Sequence, residues 1–125
     1  MKKIAFSSLN IDRTYHLDRF VRPGETVAVR SYSDSCGGKG FNLAMAMAKA
    51  GEEIFFAGAV GPDGQEFEKI FSEYGVDASY LRHSEKMCGH AVIQVDASGQ
   101  NCIMIVEGAN GDISHQYIDE VLGHF

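Results

Sequence analysis

The residues best placed to do chemistry are Gly37-Gly38-Lys39-Gly40-Phe41-Asn42, with Asn10 and Asp12 upstream. Two adjacent glycines let the backbone come close to a ligand. The helix predicted to start there offers free N–H groups at its first turn. Lys39 adds donors, and Asn42 adds a donor and an acceptor. A phosphate loop is the first chemistry to test. A Walker loop needs G-x-x-x-x-G-K followed by Ser or Thr. Here Ser33 stands five residues before Gly38, and Gly40 follows Lys39, so both ends fail. A dinucleotide fingerprint needs Gly or Ala at the position Leu43 occupies, and that fails as well.

A carboxylate, two amides and an ammonium can together hold a polyhydroxylated molecule. Asn10 and Asp12 are expected just past the first strand, where open α/β sheets bind ligands. The same residues can equally be a glycine-rich strand–helix joint with no ligand. Residue types alone leave both readings open.

The elements that must position these residues follow from periodicity. Residues 3–9 read as a short apolar strand. Segments 14–20 and 25–33 read as strands joined by a Pro23-Gly24 turn, with Val27, Val29 and Ser31 alternating against Ala28, Arg30 and Tyr32. The Ala- and Met-rich stretch after Gly38 predicts a helix stopped at Gly51, with Leu43, Met47 and Ala50 on one face and Ala44 and Ala48 beside them. Residues 53–59 read as a second buried strand. Asp63 and Glu66 have capping-box spacing before a helix that ends at Gly75. A short strand is expected at 79–83 and a hairpin at 90–96 and 101–106. Ser114 is expected to cap a last helix with Ile118, Val121, Leu122 and Phe125 on its apolar face. Strand–helix alternation predicts an α/β sheet, with the antiparallel pairs forming a second small sheet beside it.

Bulk properties narrow the class. With 125 residues there is room for one domain. Hydrophobic residues at 45% and charged residues at 22% lie in the globular range, which argues against disorder. The formal charge of -6, with scattered Lys and Arg, argues against a nucleic-acid surface. Cys36, Cys88 and Cys102 have neither disulfide-framework nor zinc spacing, and free thiols suit a reducing cytoplasm. The five histidines form no ligand pair, so no metal site is expected. The apolar start is too short and too polar for a signal peptide, and no segment has the length of a membrane span. An intracellular chain is expected.

The ordered set Asn10-Ile11-Asp12, Pro23-Gly24-Glu25-Thr26, Gly37-Gly38-Lys39-Gly40-x-Asn42, Gly51, Val60-Gly61-x-Asp63, Tyr74-Gly75-Val76-Asp77, Gly89, Asp96-x-x-Gly99-x-Asn101 and Gly108-Ala109-Asn110 resembles the opening of the ribokinase-like (PfkB-type) carbohydrate kinases. The match runs through nearly all of the chain. It implies the N-terminal part of the Rossmann-like ribokinase fold, with lid strands at about 14–33 and 90–106 over a sugar or nucleoside site. Lids of some members pair into dimers, so a homodimer is among the implied partners. The resemblance also implies sugar contacts from Asn10, Asp12, Gly38, Lys39 and Asn42. ATP and Mg are implied for the full-length enzyme, with the catalytic Asp of a G-A-G-D segment in a C-terminal half that this chain lacks. Weak sugar binding, no turnover and no tight cofactor binding are therefore expected of these residues alone. Gly108-Ala109-Asn110-Gly111-Asp112 imitates the G-A-G-D segment with one residue inserted, which would move Asp112 off a helix start. Phe41 stands where ribokinases carry a small residue, and it is expected to reshape the pocket. Leu43 and Cys88 also depart from the usual pattern. The alternatives are a non-catalytic sugar-binding or dimerisation module, and a truncated gene product.

Overall fold

The computed structural model describes residues 1–125. Strand β1 (Ile4–Phe6) pairs in parallel with β4 (Phe55–Ala57), in the register Ile4 to Phe55 and Phe6 to Ala57. One face of this pair presents Ala5 and Phe56, both buried, to helices α1 (Lys39–Lys49) and α2 (Gln65–Tyr74). The other face carries Phe6, which meets Tyr117 of α3 (His115–Leu122) edge to face at 5.6 Å. Helices thus cover both sides of a parallel pair, as α/β alternation requires.

The core is aromatic. Phe41, Phe56, Phe67 and Phe71 are all buried, with ring centroids 5.0–5.7 Å apart. Burying each such ring contributes about 1.5–3 kcal/mol. Helix α2 stops at Gly75 with φ 74°, the left-handed stop its sequence predicts.

A second sheet of four strands stands beside this layer, in the order β3-β2-β7-β8. Its members are β2 (Asn10–His16), β3 (Ser31–Gly37), β7 (Gly89–Val95) and β8 (Asn101–Val106). β2 runs antiparallel to β3 and parallel to β7, and β7 and β8 form the expected hairpin. Short strands β5 (Ala59–Val60) and β6 (Arg82–His83) pair in parallel.

Several sequence expectations need correction. The strands flanking Pro23-Gly24 are shifted outward, and residues 25–30 form no ladder. The Val27 and Val29 alternation is instead loop packing, because both line an apolar pocket with Tyr15, Leu17, Val21 and Val92. The Val21 N–H is anchored to Gln94 Oε1 at 3.2 Å, which folds the loop onto β7. Asp63 does not cap α2, which has no side-chain cap. Its carboxylate accepts the Cys88 N–H at 2.8 Å instead. On α1 the buried set is Gly40, Phe41, Ala44 and Met45, while Leu43 is 51% exposed. The face is rotated because Phe41 is drawn into the ring cluster. Ser114 does cap α3, accepting the Tyr117 N–H at 3.1 Å, but of the expected apolar face only Val121 is fully buried.

Candidate functional site

Asn10 and Asp12 do not lie in a loop after β1. A turn through Ser7–Leu9 ends in β2, and both residues belong to that strand. Being two apart, they project from the same face of the sheet. Asn10 is in register with Gly37 on β3 and Gly89 on β7, and Asp12 with Ser35 and Ala91. Every cross-strand neighbour is therefore small, and the two polar side chains stand in a trough of backbone.

The glycines are what allow this closeness. A Cβ on Gly37 would lie 2.8 Å from Asp12 Cγ, and one on Gly38 would lie 2.8 Å from the Asn10 nitrogen. Gly38 has φ 96° and ψ 153°, a region only glycine occupies without strain. It forms the N-cap of α1, and no side chain caps that helix end. The first helical N–H groups therefore stay free for an anion or an oxygen ligand. Gly40 lets the helix sit down on the Ser7–Ser8 turn, since a Cβ there would lie 2.5 Å from Ser8 O.

The Asp12 carboxylate accepts no hydrogen bond within the chain, and burial raises its pKa above the ordinary carboxyl value. The side chains of Lys39 and Asn42 are exposed and likewise make no hydrogen bond within the chain. The structure brings Asn10, Asp12 and Gly38 directly together, with Lys39 at the adjoining helix start. Asn42 lies a turn further on and also borders a groove between α1 and α2 with Met45, Lys49 and Tyr74. Phe41 is not part of the trough. Only 9% exposed, it meets Phe67 edge to face at 5.5 Å in the core, and it lines the groove beside Asn42.

Two further residues, Asn110 and Asp63, brace the strands that carry the trough. The Asn110 side chain reaches back across the chain to Leu9 and Asn10. It also borders a depression of about 290 Å³ with Ser7, Ser8 and Gly58, at the carboxyl ends of β1 and β4. Asp63 ties the start of β7 through Cys88 and lies 3.9 Å from Arg13 of β2. Burial alone would raise the Asp63 carboxyl, but the Cys88 N–H and Arg13 outweigh it and hold the pKa below its usual value. Both residues sit in sequence motifs, Gly108-Ala109-Asn110 and Val60-Gly61-x-Asp63. Only their spacing was visible there, because their partners are far away in the chain.

A cavity of about 480 Å³ lies on the opposite side of β2 and β3, under α2. Its polar rim is Asp34, Ser35, Asp63 and Glu66, three carboxylates and one hydroxyl, and Asn10, Asp12, Gly38, Lys39 and Asn42 do not line it. The donor and acceptor mixture that a polyol needs is in the trough.

A nucleotide with its magnesium would need a phosphate cradle and clustered carboxylates. These residues do not fit it. The glycine run lacks phosphate-loop spacing, and no three His, Cys, Asp or Glu side chains converge. Asp112 is engaged elsewhere, accepting from Ser84 Oγ at 2.7 Å and facing Arg82 at 3.4 Å. Those two partners hold its carboxyl below the usual range. No helix is long and apolar enough to cross a membrane.

The α/β layer carries a small sheet, with Asn10 and Asp12 near their junction. The chain belongs to the pfkB family of carbohydrate kinases, whose family model matches residues 2–122. It is 34% identical over 114 residues to the ribokinase of Haemophilus influenzae, covering 89% of this chain and 37% of that protein. Among solved structures it is similar to the ribokinase of Cryptococcus neoformans in complex with ADP, at 38% identity and a TM-score of 0.78, covering 86% of this chain and 35% of that one. It is also similar to Arabidopsis thaliana ribokinase complexed with ribose and ATP, at 33% identity and a TM-score of 0.75, covering 87% of this chain and 36% of that one. The fold is thus the N-terminal portion of the ribokinase fold. The chain spans less than two fifths of the length of these relatives.

Proposed function

We propose that this chain forms the sugar-holding part of a ribokinase-type kinase, which phosphorylates a hydroxyl of a sugar or nucleoside with ATP. The observation that carries the reading is the trough, where Asn10 stands between Gly37 and Gly89, and Asp12 between Ser35 and Ala91, at an uncapped helix start. Asp12 accepts hydrogen bonds from sugar hydroxyls, and Asn10 supplies a second contact. Lys39 and Asn42 fix the sugar's orientation from α1. Gly38 lets the ring lie against the backbone. The four-stranded sheet acts as a lid over the ligand. ATP supplies the phosphoryl group in the full-length enzyme, and the residues that hold it lie outside these 125. The free thiols suit a cytoplasmic setting.

The test pairs binding with turnover. Ribose, fructose and nucleosides titrated into the 125-residue chain should shift amide signals of β2 and of the α1 start, with weak affinity. The same chain given ATP and magnesium should phosphorylate none of them. Robust turnover would refute the division of labour, and the absence of any sugar-induced shift would refute the trough as the site.

A second role has its own observation. β8 is an edge strand that exposes Ile103, Met104, Ile105 and Val106 at 52%, 61%, 69% and 41%. An apolar, unpaired edge invites a partner. We infer that the sheet also pairs two copies of the chain. Sedimentation should show dimers that Ile105→Lys dissociates, and a monomer at all concentrations would refute the pairing.

A further inference from the structure

The orientation of the Asn10 amide decides whether it offers a ligand donors or an acceptor, and the chain fixes that orientation from a distance. Two backbone groups of Leu9 settle the Asn110 amide without ambiguity. The Leu9 N–H can only donate, so it must meet the Asn110 oxygen, at 3.0 Å. The Leu9 carbonyl can only accept, so it must meet Asn110 Nδ2, at 2.9 Å. With Asn110 so placed, its Nδ2 also reaches the Asn10 side chain, at 2.9 Å, and a donor there requires the Asn10 oxygen. The Asn10 oxygen is thereby occupied. Its Nδ2 makes no hydrogen bond within the chain and is left as the free end of the amide.

Gly89 is the space in which the lock closes. A Cβ at that position would lie 2.7 Å from the Asn10 oxygen and 2.7 Å from Glu107 O, and it would collide with Asn110 Nδ2. The 3-10 turn Gly108–Gly111 holds Asn110 in place. The Ala109 N–H is anchored to Met87 O at 2.7 Å, and Ala109 is fully buried.

We propose that Asn110 is a positioning residue. By locking the Asn10 amide it makes Asn10 a hydrogen-bond donor to the ligand, beside Asp12, an acceptor. The pair then distinguishes two sugar hydroxyls by role: one that accepts from Asn10 and one that donates to Asp12. This rests on the sugar reading above, but the lock itself does not.

The experiment has two arms. In the unliganded chain, side-chain amide exchange measured by NMR should be slowed at least about tenfold at Asn110 and be near the free-amide rate at Asn10. Slowed exchange at Asn10, or free exchange at Asn110, overturns the lock. The second arm titrates ribose and its 2-, 3- and 5-deoxy analogues into the chain and into Asn110→Asp. That variant keeps an acceptor for Leu9 N–H but presents oxygen to Asn10, which must then turn its Nδ2 inward. In the parent chain, removing the hydroxyl that contacts Asn10 should weaken binding about tenfold relative to ribose. In Asn110→Asp that ratio should fall towards one, while the penalty for removing the hydroxyl held by Asp12 stays. Equal weakening of all four sugars, with unchanged ratios, marks a merely structural residue and overturns the proposal. If the parent chain binds no ribose but its exchange pattern is as expected, the sugar reading falls and the lock stands. The exchange arm needs no variant, so a variant that fails to fold leaves the proposal refutable.

Discussion

Replacing Gly38 by alanine should destabilise the chain far more than the same change at Gly75, although both glycines flank a helix at positive φ. Gly75 ends α2 at φ 74° and ψ 21°, and a Cβ there meets nothing within 4 Å. Alanine at that position carries only the left-handed backbone penalty, about 1 kcal/mol. Gly38 sits at φ 96° and ψ 153°, where a side chain costs about 1–3 kcal/mol. Its Cβ would also lie 2.8 Å from the Asn10 nitrogen and 3.1 Å from Ser8 O. Both obstacles are backbone, so no flexible side chain can yield, and overpacking adds about 1–3 kcal/mol. The sum is about 2–6 kcal/mol, against a total stability of about 5–15 kcal/mol for a domain. At about 4 °C per kcal/mol for a chain of this size, Gly38→Ala should lower Tm by about 8–24 °C and Gly75→Ala by about 4 °C. Thermal unfolding followed by circular dichroism at neutral pH measures both. Equal shifts would show that α1 does not press on the Asn10 backbone, and the account of the trough would fall.

Three other outcomes are expected. Burial raises the Asp12 pKa, so the folded chain holds that proton more tightly than the unfolded one and loses stability as the carboxyl ionises with rising pH. Asp12→Asn should therefore raise Tm at pH 7, lose that advantage below about pH 3.8, and weaken ribose binding by about 10–100-fold; a lower Tm at pH 7 would contradict this. The Tyr117 hydroxyl donates to Tyr80 O at 2.6 Å and accepts the Gly58 N–H at 3.1 Å, so Tyr117→Phe should cost about 1–3 kcal/mol in urea unfolding, and a loss near zero would show both groups find water instead. Burial pushes the Cys36 and Cys88 thiols up to about 11, whereas Cys102 is exposed; iodoacetamide at pH 8 should label Cys102 first and Cys88 last, and rapid labelling of Cys88 in the native chain would contradict its burial.

Much of the fold was legible in the sequence, because its signals are local. Gly75, Ser114 and the 90–106 hairpin act through residues within a few positions of themselves, and each sits where periodicity places it. The errors share one physical cause. β3 reads SYSDSCG, with five of its seven residues exposed, and it is a strand because β2 offers it a ladder rather than because it buries a face. Its polar character hid it, while the more apolar Val27 and Val29 drew the prediction upstream into what is a loop. Asp63 has the spacing of a helix cap, but a distant N–H on Cys88 competes for its carboxylate and wins. Phe41 stands within the glycine motif, yet three other rings define a better environment for it on the core side. In the site, the residue types of Asn10, Asp12 and Lys39 were readable as ligand chemistry. The clamp by Asn110 was not, since nothing near position 110 shows that it touches position 10.

That separation has a consequence for how the chain acquires its shape. The Asn110 to Asn10 hydrogen bond spans 100 residues, and the parallel ladder of β2 on β7 joins Asn10 to Gly89. Ribosomes add about 5–20 residues per second, so about 5–20 s pass between the emergence of Asn10 and that of Asn110. The antiparallel pairing of β2 with β3 can form within microseconds of their release. Until β7 has been made the other edge of β2 has no partner strand, and until Asn110 follows nothing fixes the Asn10 amide. Asn10 is thus made early, while the residues that fix its side chain are made late.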